Sequence, residues 1–291
     1  MVDVSAVSIV EDSIATPFGK LSSWRSTGRE FPILLIHGSS VSKKVFRQQF
    51  ASPLGERFHL VAIDLPGHGS SPDARVPEDY SLPNLAAAVH AAMDELRLGP
   101  SVVMGWSLGG HVAIELMAQG GPVAGLMLSG TPPVNRGPLG MLRGFHTGWD
   151  MLLGSKAQFS ERDVERFGQM CFGEAIPPEF LADIRRADGA CRATFSRSML
   201  RGDGADQRLA IERAGIPVAL VNGENERIVR LPYLNGIDTP MLWGGRSQLI
   251  AGAAHSPFFQ RPDAFNALLG RFAADVAMAA ANAPLRVRQA S

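Results

Sequence analysis

The chain has 291 residues, 45% of them apolar and 19% charged, with 28 basic side chains set against 28 acidic ones. That length and composition suit one globular domain carrying an insertion, and the even charge, with no long single-sign block, excludes electrostatic capture of nucleic acid or an anionic membrane. The expected partner is a small, weakly charged molecule.

The opening MVDVSAVSIVEDS lacks a basic stretch followed by an apolar run, and the longest apolar runs, such as ILLI, are far too short to span a bilayer. The expectation is a soluble cytoplasmic protein. Short apolar, β-rich segments then alternate with helical patterns: FPILLIHG, HLVAIDLPGHG, SVVMGWS, VAGLMLSGTPP and, much later, IPVALVNG. Near-continuous apolar strands separated by helices predict an α/β fold, a mostly parallel central sheet covered by helices on both faces. Over 82–98, Leu85, Val89, Met93 and Leu96 form one helical stripe, and Gly99 stands as its stop.

The rhythm breaks between Pro132 and about residue 212, where helical patterns over 138–154, 160–171, 178–189 and 192–201 replace the strands. RGDGADQ (201–207) then reads as a flexible exit hinge. A helical insertion after the strand ending near Ser129 sits over the C-terminal strand ends, where open α/β sheets bind ligands. The expected division is a first core part, 1–133, a helical cap or lid, 134–212, and a second core part, 213–291. Near the C-terminus Phe265, Leu268, Leu269, Phe272 and Val276 keep helical spacing, and PLRVRQAS (284–291) reads as a loose tail. Cys171 and Cys191 have neither CxxC spacing nor nearby histidines, so both read as buried thiols.

One stretch carries chemistry. Gly105-Trp106-Ser107-Leu108-Gly109 fits the G-x-S-x-G nucleophile elbow, with strand SVVMGW before it and helix LGGHVAIELMAQ after it. A serine hydroxyl is a poor nucleophile near neutral pH and needs a histidine base with an acid that orients it. The chain order in this architecture is serine, acid, histidine. His255, in LIAGAAHSPFFQRPDAF, is the histidine that follows the last clear strand. The acid is expected after IPVALVNG, where Glu226 is the choice and Asp238 the alternative. Oxyanion donors are expected from the Leu108 amide and, in IHGSSVS, the Ser39 amide. His68 sits among Pro66, Gly67 and Gly69 and reads as a turn residue. No HxH or HExxH spacing occurs, so the reading calls for no metal and no cofactor.

Together IHG, IDLPGHGSS, GWSLGGH, NGENERIV and AGAAHSP resemble the α/β-hydrolase superfamily over about residues 31–268. Within it, GWSLGGHVAIEL, LMLSGTPPV, FSERDVERF and the glutamate of NGENE resemble the serine-dependent N-acyl homoserine lactone hydrolases, cofactor-free lactonases that silence quorum-sensing signals. The resemblance implies a Ser107, Glu226 and His255 triad with Ser39 and Leu108 at the oxyanion hole. Glu226 stands where the superfamily usually has aspartate, in agreement with this subgroup. Ala254 replaces the usual glycine before the histidine, and Ser39 stands where the lactonases would have asparagine.

The expected reaction is ring opening of an acylated lactone through an acyl-enzyme. Trp106, beside the serine, and Phe145, Trp149, Phe167 and Met170 of the lid are the expected substrate contacts; the lid also carries Met151, Leu152, Phe159 and Phe172. Packing of the lid helices on one another is the competing reading for most of these apolar residues. A carboxylesterase or carbon-carbon bond hydrolase with the same triad, and a receptor-like protein with little turnover, are the alternatives.

Overall fold

The computed structural model describes residues 9–282. Eight strands form one sheet: β1 (Val10–Thr16), β2 (Gly19–Arg25), β3 (Glu30–Ile36), β4 (Phe58–Ile63), β5 (Ser101–Trp106), β6 (Val123–Ser129), β7 (Val218–Gly223) and β8 (Gln248–Ile250). Their spatial order is β1-β2-β4-β3-β5-β6-β7-β8. The pairs β1/β2 and β2/β4 are antiparallel and the others parallel. The sheet is therefore mostly parallel, as its apolar strands predict, with an N-terminal hairpin added at one edge.

Period-two alternation sends successive strand residues to opposite faces. Leu34 and Ile36 of β3, Val103 of β5 and Leu126 and Leu128 of β6 join one core with helices Leu82–Glu95 and Leu108–Ala118. Ile33, Leu35, Val102, Met104, Trp106 and Met127 join the other, against helix Pro262–Asn282. Helix Leu82–Glu95 stops just before the expected end because Leu96 caps it and Arg97 turns left-handed at φ 52°. The expected tail, 284–291, lies outside the described residues.

Helix Pro262–Asn282 departs from the expectation that all apolar runs are short. It has 21 residues, and an 18-residue window within it reaches a mean hydropathy of 1.2, long and apolar enough to cross a bilayer. Much of that apolarity is alanine, and the stripe Phe265, Leu269, Phe272, Ala273 and Val276 is buried in the core beneath the sheet.

Between β6 and β7 lie helices Pro138–Gly144, Glu161–Phe172, Pro178–Arg186, Gly189–Arg201 and Gln207–Glu212, with a 3-10 stretch at Trp149–Ser155. The single helix expected over 138–154 is two pieces. Phe145 leaves the first in an extended conformation and bridges to Val229, and the His146 amide donates to the Ile228 carbonyl at 2.9 Å. The expected flexible hinge over 201–207 is a bonded turn: the Ala205 amide donates to Glu115 Oε2 at 2.8 Å, and Asp206 accepts from the Leu209 amide at 3.0 Å.

A buried ion pair pins two of the loops at the strand ends. Lys43, 1% exposed, follows β3 and donates through Nζ to Asp64 Oδ2 at 2.7 Å and to Ser22 Oγ at 2.9 Å. Asp64, just after β4, also accepts from the amides of Lys43 (2.7 Å) and Ser70 (2.8 Å). Removing the ammonium strands a buried carboxylate, so Lys43→Met is expected to lower the unfolding free energy by ~3–5 kcal/mol. Urea unfolding measures this, and a loss below about 1 kcal/mol would make the pair dispensable.

Candidate active site

Strands β3, β5, β6, β7 and β8 run parallel, so their C-terminal ends share one edge of the sheet. The loops leaving them carry Ser39, Ser107, Gly130, Glu226 and His255. Ser107 stands between β5 and helix Leu108–Ala118 with φ 53° and ψ −119°, a conformation rare for a residue with a side chain. Its amide donates to the Ser129 carbonyl and its own carbonyl accepts from Thr131 Oγ1, both at 2.9 Å. Gly109 makes the turn possible, because a Cβ there would collide with the carbonyl oxygens of Ile36 and His37.

His255 and Glu226, both buried, meet at 2.8 Å between Nδ1 and Oε2. The other carboxylate oxygen accepts from the amides of Ile228 (2.7 Å) and Val229 (3.4 Å), which fixes the carboxylate plane. Burial alone raises the pKa of Glu226; the charge of His255, its hydrogen bond and the two amides outweigh that and lower it below the usual carboxylate value. An ionised carboxylate only accepts, so Nδ1 carries a proton and Nε2 keeps its lone pair. The backbone of the histidine is held too: Trp106 Nε1 donates to the His255 carbonyl at 2.8 Å. Gly130, at φ 58°, leaves the imidazole its place, since a Cβ there would lie 2.6 Å from His255 Cε1.

Leu108 opens its helix, so its amide is among the first four without an intrahelical acceptor and stands at the positive end of the helix dipole. Ser39 lies in the turn after β3, where its Oγ is 3.2 Å from Ser40 Oγ and Ser40 itself adopts φ 64°. Arg192, from helix Gly189–Arg201, donates to Ser40 Oγ at 2.8 Å and to the carbonyls of Lys156 (2.8 Å) and Ala157 (3.0 Å), with its guanidinium 3.8 Å above the Phe159 ring. Thus one buried arginine ties the intervening helices to the Ser39 turn. No sequence motif singled it out.

Ser39, Ser107, Leu108 and His255 line one cavity of about 440 Å³. Of the expected substrate contacts, Trp106, Phe145, Phe167 and Met170 line it as well, Trp106 while also bracing His255. Trp149 falls in the 3-10 stretch, and its side chain, like that of Met151, lies outside the described residues. Leu152 reaches the cavity; Phe159 packs on Phe167 and Arg192, and Phe172 on Trp106 and Phe180. Asp238, the alternative acid, is exposed, and Glu226 is the carboxylate beside His255. His68 is buried in its turn with Nδ1 2.9 Å from the Pro66 carbonyl. Sequence reasoning gave no role to Met141, Phe195 and Met199 on the wall, nor to His111, four residues beyond Ser107 in the chain.

A positive-φ serine closing the third parallel strand of such a sheet defines an α/β-hydrolase. Residues 33–268 match the alpha/beta hydrolase family, and the chain belongs to it. It is similar to the pimeloyl-acyl-carrier-protein methyl ester esterase of Stenotrophomonas maltophilia (strain R551-3), at 30% identity over 87% of this chain and 96% of that protein. Among solved structures it is similar to the N-acyl homoserine lactonase AidH. A glutamate-to-glycine variant complexed with N-hexanoyl homoserine has 35% identity and a TM-score of 0.90, covering 98% of this chain and 100% of that one. A serine-to-glycine variant complexed with N-hexanoyl homoserine lactone has 37% identity and a TM-score of 0.89, covering 92% and 98%.

The lowered pKa of Glu226 has a stability consequence. Ionisation adds stability that is complete above about pH 4.5, the ordinary value for the group, and is lost as pH falls through the lower folded value. Glu226→Gln is expected to be less stable than the unsubstituted protein at neutral pH, with the gap shrinking in acid. Denaturant unfolding across that range checks this, and a gap that stays constant would contradict it.

Proposed function

We propose that the chain is a serine-dependent ester hydrolase whose substrate is the lactone ring of an N-acyl homoserine lactone, opened by Ser107, His255 and Glu226 beneath a cap formed by 134–212. The observation that carries this reading is the 2.8 Å His255–Glu226 pair, whose imidazole lines the same apolar cavity as Ser107. The AidH structures add support. Their lactone-bearing and product-bearing variants replace a serine and a glutamate respectively, the residue types standing here at 107 and 226.

In the proposed mechanism His255 Nε2 takes the Ser107 hydroxyl proton as Oγ attacks the lactone carbonyl, and Glu226 stabilises the imidazolium. The tetrahedral oxyanion rests on the amides of Leu108 and Ser39. The ring C–O bond breaks, and the leaving alkoxide takes the proton back from His255 while its acyl carbon stays on Oγ. A water, deprotonated by Nε2, then attacks the ester; Ser107 leaves reprotonated, and the acid formed ionises to release one proton. The acyl tail lies along Met141, Phe145, Phe195 and Met199.

A second reading follows from the methyl ester esterase relatives: an acyclic methyl ester in the same site. The two separate when C6 and C10 N-acyl homoserine lactones and a pimeloyl methyl ester are incubated with the protein in EDTA and proton release is followed. Lactone opening that survives EDTA and falls by roughly 10³-fold or more in Ser107→Ala and by roughly 10³–10⁴-fold in Glu226→Gln is the expected result. Turnover of the methyl ester alone would sink the lactonase reading and leave the esterase.

A further inference from the structure

Helix Leu108–Ala118 carries a second polar group to the cavity. His111 follows Ser107 by four residues in the chain, in the first turn of the helix that Ser107 caps, and both line the cavity. It is 3% exposed and lies between Phe145 and Phe195, with ring centroids 5.9 and 6.0 Å away. Burial brings its pKa down to about 4, with the hydrogen bond to Gln207 offsetting only part of that, so the ring is neutral wherever His255 works as a base.

Gln207 fixes the tautomer. Its Oε1 lies 2.7 Å from His111 Nδ1, while its amide nitrogen faces Met199 Sδ at 4.0 Å. An amide oxygen only accepts, so Nδ1 carries the proton and Nε2 keeps a lone pair. That nitrogen has no hydrogen-bond partner among the described residues. The orphaned Nε2 of His68 is sealed in the interior, but that of His111 stays open, and His111 lines the same cavity as Ser107 and His255. Phe145 and Phe195 flank the ring, and Met141 and Met199 line the same cavity; none of the four takes a strong hydrogen bond. A hydrocarbon chain covering this nitrogen strips its water and returns nothing, whereas a chain bringing a donor satisfies it.

We infer that His111 Nε2 is a specificity element that accepts a hydrogen bond from a donor, a hydroxyl or an amide N–H, placed a few bonds from the scissile carbonyl on the acyl side of the substrate. The inference rests on ester hydrolysis with the acyl part in this cavity, and does not require the ester to be a lactone.

Matched p-nitrophenyl esters test it without a lactone. One pair sets 3-hydroxyoctanoate against 3-oxo-octanoate, which only accepts; the other sets N-hexanoylglycine against its N-methyl analogue, which has lost the N–H. The donor-bearing ester of at least one pair is expected to exceed its partner in kcat/KM by roughly tenfold, about the worth of one buried hydrogen bond, and the responding pair identifies the donor. In His111→Phe that ratio is expected to fall to near one; being read within each protein, it is insensitive to overall loss of activity. His111→Gln, a smaller change in packing whose amide can both accept and donate, is expected to narrow the hydroxyl-to-ketone ratio if the hydroxyl pair responds. Equal kcat/KM within both pairs for the unsubstituted protein overturns the inference before any variant is made, and so does a preference that persists in His111→Phe. Cleavage of none of the esters overturns the ester-hydrolase reading, and this inference with it.

Discussion

Ser107 is held at φ 53°, ψ −119°, a backbone state that costs an L-residue ~1–3 kcal/mol unless its surroundings over-determine it. Here they do. Strand β5 is paired on both sides, by β3 and β6, and is buried along its whole length, so the turn that follows has little room to relax. The helix beginning at Leu108 packs against the end of β3 through the bare face of Gly109. The same geometry lifts the Ser107 side chain to the cavity and leaves the Leu108 amide at the open end of a helix. Strain, sheet pairing and a free amide are thus three aspects of one local arrangement.

The imidazole is governed by a second constraint, that each of its connections comes from a different strand end. Trp106, from β5, holds its carbonyl; Glu226, beyond β7, holds Nδ1; Gly130, beyond β6, leaves it space. Because β5, β6 and β7 are paired side by side, small shifts in any of these loops are opposed by the others. The helices between β6 and β7 join this network through Arg192, whose hydrogen bonds run from the Lys156 and Ala157 carbonyls to Ser40. They also supply most of the apolar wall of the cavity. The part of the chain that recognises the acyl group in the proposed reaction is therefore mechanically connected to the turn that would hold the oxyanion.

The parallel strands were legible in the sequence because burial on both faces demands near-continuous apolar runs, and the serine turn was legible because it needs glycine. The hairpin β1/β2 was not: β1 is an edge strand with exposed, mixed residues (VEDSIAT), and neither a period of two nor an apolar run marks it. The helix expected over 138–154 broke at Phe145 because its backbone bridges to Val229, a contact between segments more than eighty residues apart that no local pattern encodes. Glu226 could be chosen over Asp238 from its place just beyond a strand end. Arg192 and His111 escaped notice for another reason. Their significance lies in what they face across the fold: one of three arginines on its helix, or a histidine on an apolar helix, is the same string whether it braces a turn, lines a pocket or meets solvent.

The account stands on Ser107 being a nucleophile activated by His255. The direct measurement is fluorophosphonate labelling followed by mass spectrometry of the digested protein. The account predicts a single adduct on the peptide containing Ser107, formed rapidly with the pair of His255 and Glu226 intact and slowed by orders of magnitude in His255→Ala. No adduct, or an adduct on another serine at equal rate in both proteins, would contradict it.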